Sequence, residues 1–144
     1  MKVLIQRVKR ADITINGVPS GSIDTGLVVY IGYSKEDVNR NEWLVNKLSG
    51  LRVFEDQEGR LNLSVREVGG KILIVSNFTL CGNCNKGFRP SFDQSMEYNK
   101  AQTLYYDLIQ RLSNAMPNCV VSGEFGADMQ IQQLCDGPVN LIIE

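Results

Sequence analysis

The stretch Lys71 to Leu80, KILIVSNFTL, limits what this chain can fold into more than any other. Lys71 to Val75 is a short apolar, β-branched run entered through Gly69-Gly70, and it reads as a buried central strand. Its character then changes abruptly. Ser76, Asn77 and Thr79 place three small hydrogen-bonding side chains at the C-terminal end of that strand, where buried polar groups must find partners or cost stability. Strand ends are where folds put chemistry, so these residues are site candidates. On local sequence alone the structural role, in which Ser76 and Asn77 satisfy loop amides, is the favoured reading, because fold elements outnumber sites.

The rest of the chain supplies a frame for that strand. At 144 residues, 43% hydrophobic and 22% charged, the sequence suits one globular domain spanning 1–144. No apolar run approaches the ~20 residues that span a bilayer, and the charged, alternating N-terminus does not resemble a signal core; a cytoplasmic protein without membrane contact is expected. Residues 2–8, 10–16, 18–24 and the run LVVYIGY after Gly26 predict an antiparallel meander of four strands, with Asn16-Gly17 as a hairpin turn. A helix start is expected at Ser34 to Asp37, leading to Trp43, Leu44, Leu48 and Leu51 at helical spacing, with Gly50 as its stop. Leu51 to Phe54 predicts a short strand and Asn62 to Glu67 an irregular turn. Cys81 to Asp93 is loop-like and long enough to be functional. Ala101, Leu104, Tyr105, Leu108, Leu112 and Met116 form a second amphipathic helix ended by Pro117, and strands are expected at 119–125, 128–135 and 139–143, with Asp136-Gly137-Pro138 as a turn between the last two. The sum is an α+β fold: a mainly antiparallel, β-barrel-like sheet with two helices packed outside.

Charge and residue types narrow the chemistry. The net charge is −1, all 15 basic residues lie at or before Arg111, and the last 33 residues hold four acids and no base. Any RNA contact should therefore be local and modest. There is no histidine at all. That removes Ser-His-Asp and Cys-His nucleophilic schemes and every histidine-bearing metal site. Cys81-Gly-Asn-Cys84 has the spacing of a redox dithiol or half a zinc site, but Cys119 and Cys135 are far apart, no second C-x-x-C exists, and no helix follows to lower a thiol pKa. Incidental loop cysteines are the simpler reading. No metal or cofactor is expected.

Two stretches together suggest a family. SNFTL at Ser76 to Leu80 and DGPVN at Asp136 to Asn140 resemble the signature motifs of the D-aminoacyl-tRNA deacylases, usually written SQFTL and NxGPxT. The opening MKVLIQRVKRADITING, LNLSV at Leu61 to Val65, KGFRPSF at Lys86 to Phe92 and GEFGADMQI at Gly123 to Ile131 are similar to that family too, so the likeness runs end to end.

The resemblance implies the family's barrel-like fold and homodimer, and hydrolysis of the ester joining a D-amino acid to the 3′ end of tRNA, with glycyl-tRNA cleaved as well. It implies catalytic roles for Ser76, Asn77, Phe78 and Thr79. An aminoacyl ester is already activated, so positioning plus oxyanion donors around Phe78 and Thr79 would suffice, and Thr79, lacking a histidine to activate it, is assigned positioning rather than attack. Substrate-binding roles would fall on Gly137, Pro138, Met129, Phe125, Arg7, Lys86 and Arg89. By spacing alone Arg7 is a solvent-facing strand residue, Met129 belongs to the core, and Lys86 and Arg89 sit in a solvated loop. By resemblance Arg7 braces the Gly-Pro turn of the partner subunit, Phe125 and Met129 line the pocket, and Lys86 and Arg89 flank the site for the terminal adenosine. A cis Gly137-Pro138 bond, as in the family, would turn both carbonyls toward the substrate and exclude an L side chain. Three positions depart from the motifs: Asn77 for glutamine, Cys135 for asparagine and Asn140 for threonine. They support an alternative, a divergent paralogue that binds tRNA or another nucleic acid without turnover.

Overall fold

The computed structural model describes residues 1–144. In chain order the elements are β1 (Lys2–Ile15), β2 (Val18–Ile23), β3 (Gly26–Gly32), α1 (Asn41–Gly50), β4 (Arg52–Glu55), β5 (Leu61–Ser64), β6 (Lys71–Ser76), a 3-10 turn (Phe78–Cys81), α2 (Tyr98–Ala115), β7 (Val120–Ser122) and β8 (Met129–Ile143). No helix is long and apolar enough to cross a membrane.

The sheet is laid on β1. One edge of this 14-residue strand carries β8 antiparallel along its length, from Val3 opposite Ile143 to Ile15 opposite Met129. The other edge carries β3 beside residues 2–8 and β2 beside residues 11–15, both antiparallel. The expected four-strand meander is therefore corrected: residues 2–8 and 10–16 are one strand, and β2 and β3 share it in tandem instead of pairing with each other. Its period-2 pattern changes where it exchanges one partner for the next, which mimics a break in the sequence. Asn16 and Gly17 do make the hairpin turn, both at positive φ (50° and 79°). Beyond β3 the sheet turns parallel, with β6 beside β3 and β7 beside β6.

The sheet then curls until its ends meet. A Cβ on Gly21 of β2 would lie 2.7 Å from Val121 Cγ1 of β7, so only glycine permits that approach. Curling divides the apolar residues of each strand by parity. Val8, Ala11, Ile13, Ile23, Val28, Leu73 and Val75 fill the inside. Leu27, Val29, Ile31, Ile72 and Ile74 face outward onto Leu44 and Leu48 of α1 and Tyr105, Leu108 and Leu112 of α2. Both faces of β3 and β6 are buried, which is why their sequences show unbroken apolar runs. Each such side chain removed from water contributes roughly 1.5–3 kcal/mol.

Three further expectations are corrected. Helix α1 starts at Asn41, not near Ser34. The Asp37 carboxylate accepts from the Ser34 amide and from the N-terminal ammonium, and Lys35 N donates to Gln94 O at 2.9 Å, so this segment is a turn pinned to the loop before α2. Of Asn62 to Glu67, expected as an irregular turn, residues 62–64 belong to β5, which pairs with β4, and the turn begins only after them. The last two predicted strands are one, because β8 keeps its pairing with β1 on both sides of Asp136-Gly137-Pro138 and accommodates these residues as a bulge between the Val8–Cys135 and Gln6–Asn140 pairs.

Candidate active site

The parallel pair β3 and β6 ends together, with Ile31 beside Ser76, and a cavity of about 470 Å³ opens directly beyond. Gly32 and Tyr33 continue from β3, Ser76, Asn77 and Phe78 continue from β6, and the start of α2 contributes Tyr98 and Ala101. Phe125, Gly126 and Ala127 of the segment between β7 and β8, with Met129 at the start of β8, close the remaining side. Tyr105 holds two of these walls in register. Its fully buried hydroxyl lies 3.0 Å from both Ile74 O on β6 and Gly123 O after β7. Burial pushes the phenol's pKa up, so it remains a neutral donor.

Tyr33 ties the cavity to the helices. Its buried hydroxyl meets Asn41 Oδ1 at 3.2 Å, while Asn41 Nδ2 donates to Leu104 O and to Asp107 Oδ2, each at 2.8 Å. Burial raises the Tyr33 pKa, and the hydrogen bond from Asn41, followed by the Arg111 pair, holds the Asp107 carboxyl below its usual range.

At the mouth of β6, Asn77 caps the 3-10 turn. Its Oδ1 accepts from Thr79 N at 3.2 Å and from the Thr79 hydroxyl. This arrangement commits the Thr79 amide and hydroxyl to Asn77 and leaves Asn77 Nδ2 without a protein partner in the cavity wall. Ser76 Oγ and the Tyr98 hydroxyl are likewise unpaired there. No carboxylate and no thiol lines the cavity. The cavity therefore offers hydrogen-bond donors and apolar walls but no general base or strong nucleophile, a combination that suits a reactant already activated toward water.

Of the residues singled out in the sequence, Ser76, Asn77, Phe78, Phe125 and Met129 meet at this cavity. Thr79 sits one turn behind, exposed and bound to Asn77. Lys86 and Arg89 lie on an exposed loop outside the lining. Gly137 and Pro138 are exposed on β8, joined by a cis peptide, and do not line the cavity of their own chain.

The solvent-facing alternative for Arg7 is overturned, since the residue is 5% exposed. Its Nη1 donates to Val53 O at 2.7 Å, its Nε meets Asp136 Oδ2 at 3.0 Å, and its Nη2 lies 3.6 Å from Glu55. The guanidinium thus fastens β4 to the segment that carries Gly137-Pro138 within one chain. Alternation misjudged Arg7 because β4 covers that face of β1.

Tyr33 and Tyr98 were missed. Tyr33 closes an apolar run and reads as core, while Tyr98 precedes the periodic positions of α2, so only the folding of α2 across the strand ends reveals either one. Cys81 is buried with its Sγ 3.6 Å from Ser34 Oγ, Cys84 is exposed, and all four cysteines are free thiols.

Comparison with known proteins accords with this arrangement. Residues 4–144 match the family described as D-Tyr-tRNA(Tyr) deacylase. The chain belongs to that family of hydrolases. It is 46% identical over 145 residues to a D-aminoacyl-tRNA deacylase of Fusobacterium nucleatum subsp. nucleatum, covering 100% of this chain and 95% of the relative. It is 43% identical over 145 residues to one from Chlorobaculum parvum, covering 100% and 97%. Among solved structures, a c-Myc DNA Unwinding Element Binding Protein superposes with a TM-score of 0.92 at 37% identity, covering 100% of this chain and 98% of the other. A structure titled as a probable eukaryotic D-amino acid tRNA deacylase superposes at 0.83 with 20% identity, covering 99% and 97%, and is similar in fold.

Proposed function

We propose that the cavity hydrolyses the ester joining a D-amino acid to the 3′-terminal adenosine of tRNA and thereby removes wrongly charged tRNA. The observation that carries this reading is the cavity's chemistry: Asn77 Nδ2 and Ser76 Oγ are unpaired donors at a strand end, with no titratable base beside them. An aminoacyl ester needs little more. Held rigidly beside a water or the vicinal ribose hydroxyl, it gains proximity, and the donors near Phe78 stabilise the oxyanion as it develops. Thr79 fixes the orientation of Asn77 and does not attack.

Gly137 and Pro138 complete the reading from a second copy of the chain. Each lies outside its own cavity, while β8 leaves its outer edge unpaired and exposes Leu134, Leu141 and Ile142. A two-fold contact through β8 would cover these side chains and bring each turn to the partner's cavity, making two equivalent sites. Light scattering should give the mass of two chains, and a fully active monomer would refute the arrangement.

Specificity then follows from exclusion. A turn occupying the space of an L side chain rejects L-aminoacyl-tRNA without needing affinity for any D side chain, and glycine, with nothing to exclude, passes. Hydrolysis of D-tyrosyl-, L-tyrosyl- and glycyl-tRNA at one enzyme concentration tests this. D-tyrosyl-tRNA should be cleaved at least about 100-fold faster than the L form, equal to ~2.7 kcal/mol of transition-state discrimination, with glycyl-tRNA also cleaved. Comparable D and L rates would refute the filter. No hydrolysis of any substrate, with tRNA binding retained, would support a nucleic-acid-binding protein without turnover.

A further inference from the structure

We infer that Phe88 is a stacking platform for an unpaired base of the single-stranded RNA end that leads into the cavity, a role that rests on the reading of the cavity as the site of the tRNA 3′ terminus. Phe88 has a relative exposure of 107%, whereas no other large apolar residue exceeds 72%. Leaving a phenylalanine in water forgoes roughly 1.5–3 kcal/mol of burial. The ring touches no core and holds nothing together.

Its placement is well defined. The loop that carries it is closed at its base by two backbone hydrogen bonds between Asn83 and Ser91, of 2.8 and 2.9 Å, and turns at Gly87, with φ of 65°. Below this closure Phe92 packs edge-on against Phe78, ring centroids 5.1 Å apart, and Phe78 belongs to the cavity wall. The loop therefore stands on the cavity rim. Five residues from Asn83 to Phe88 span at most about 17 Å even if fully extended, so the ring stays within that distance of the loop's base.

The charges around the ring identify the partner. Lys86 and Arg89 flank it, neither takes part in an ion pair, and no acidic residue occurs from Gly82 to Phe92. An exposed aromatic face between two uncompensated cations matches a chain that alternates phosphates with flat bases. Duplex RNA keeps its bases stacked and covered, so the fit is to a single strand. Lys86 and Arg89 then supply phosphate contacts, and Phe88 supplies the stacking contact that sequence periodicity does not reveal.

Phe88→Ala and Phe88→Trp test this, and neither disturbs a packed contact. A short oligoribonucleotide ending in cytidine-cytidine-adenosine, the end common to tRNAs, should bind the alanine variant about five- to hundredfold more weakly than the unmodified protein. The tryptophan variant should retain binding, and its added fluorescence should be quenched by the oligonucleotide but not by a blunt duplex. For D-tyrosyl-tRNA the alanine variant should show a similar rise in KM with kcat little changed, while cleavage of 3′-O-(D-tyrosyl)adenosine, which lacks the upstream nucleotides, should be unaffected. Unaltered oligonucleotide binding by the alanine variant would overturn the assignment. Equal losses on tRNA and on the nucleoside ester would overturn it too, as would a change in oligomeric mass, which would make Phe88 a protein contact. Binding is read without turnover, so the result stands even if D-tyrosyl-tRNA proves not to be hydrolysed, and that outcome would count against the deacylase reading alone.

Discussion

Arg7→Met should lower kcat/KM for D-tyrosyl-tRNA by about 100-fold and destabilise the protein by about 2–4 kcal/mol. Arg7 is buried, and its guanidinium joins Val53 O on β4 to Asp136 on β8. Removing one member of a fully buried ion pair costs about 3–5 kcal/mol, because the partner is left uncompensated. Here Asp136 and Glu55 keep 31% and 58% of their side-chain exposure, so water recovers part of that loss. The activity loss has a separate origin. Without the guanidinium only the exposed Lys9, its Nζ 3.8 Å from Asp136 Oδ1, still reaches from a β1 side chain to the residue before Gly137-Pro138, and a displacement of about 1 Å in a group that positions substrate can cost about two orders of magnitude. Arg7→Lys should fall between, since lysine keeps the charge but cannot reach Val53 O and Asp136 together. Urea denaturation and steady-state kinetics read the two effects separately. Lost stability with unchanged kcat/KM would show that the Gly137-Pro138 turn contributes nothing to the site.

Gly32→Ala should be as damaging to activity while leaving most of the fold intact. A Cβ at Gly32 would lie 2.7 Å from Asn77 O, 3.2 Å from Cys81 Sγ and 3.3 Å from Leu80 Cβ. Every one of those atoms belongs to the segment that begins at Asn77 and forms the 3-10 turn. The closest is backbone, so it cannot swing aside as a side-chain tip would. The methyl group must therefore push the turn away from β3, opposing the 2.7 Å hydrogen bond from Asn77 N to Ile31 O, and Asn77 Nδ2 moves with it. Overpacking of this kind costs about 1–3 kcal/mol in stability, and the displaced donor should cost about 100-fold in kcat/KM. Gly21→Ala is the matched control. Its Cβ would meet Val121 Cγ1 at 2.7 Å where the curled sheet closes, so it should destabilise comparably with little effect on rate. Equal activity losses in the two variants would mean that general destabilisation, and not displacement of Asn77, explains the Gly32 result.

These two residues also mark where sequence reasoning stopped. Strand β6 and helix α2 were legible because their apolar residues repeat at the period of the element itself, and both faces of β6 are covered, which produces an unbroken apolar run. Ser76 and Asn77 stood out because a polar triplet at the end of such a run is unusual, and their likeness to a family motif extended this to Phe78, Phe125 and Met129. The absence of histidine likewise narrows the chemistry from the sequence alone.

Pairing was not legible in the same way. That residues 2–15 form one strand, that β3, β6 and β7 run parallel, and that β8 continues through Gly137-Pro138 depend on which strand lies alongside, and local patterns are the same for either answer. Arg7 was judged exposed by alternation and is buried because β4, 45 positions further along the chain, lies over it. Tyr33 and Tyr98 became cavity residues only when α2 crossed the ends of β3 and β6. Sequence periodicity reports whether a side chain is covered, since burial acts on each residue singly. What covers it, and which polar groups are left unpaired beside one another, is decided by contacts between distant segments, and those exist only in the folded chain.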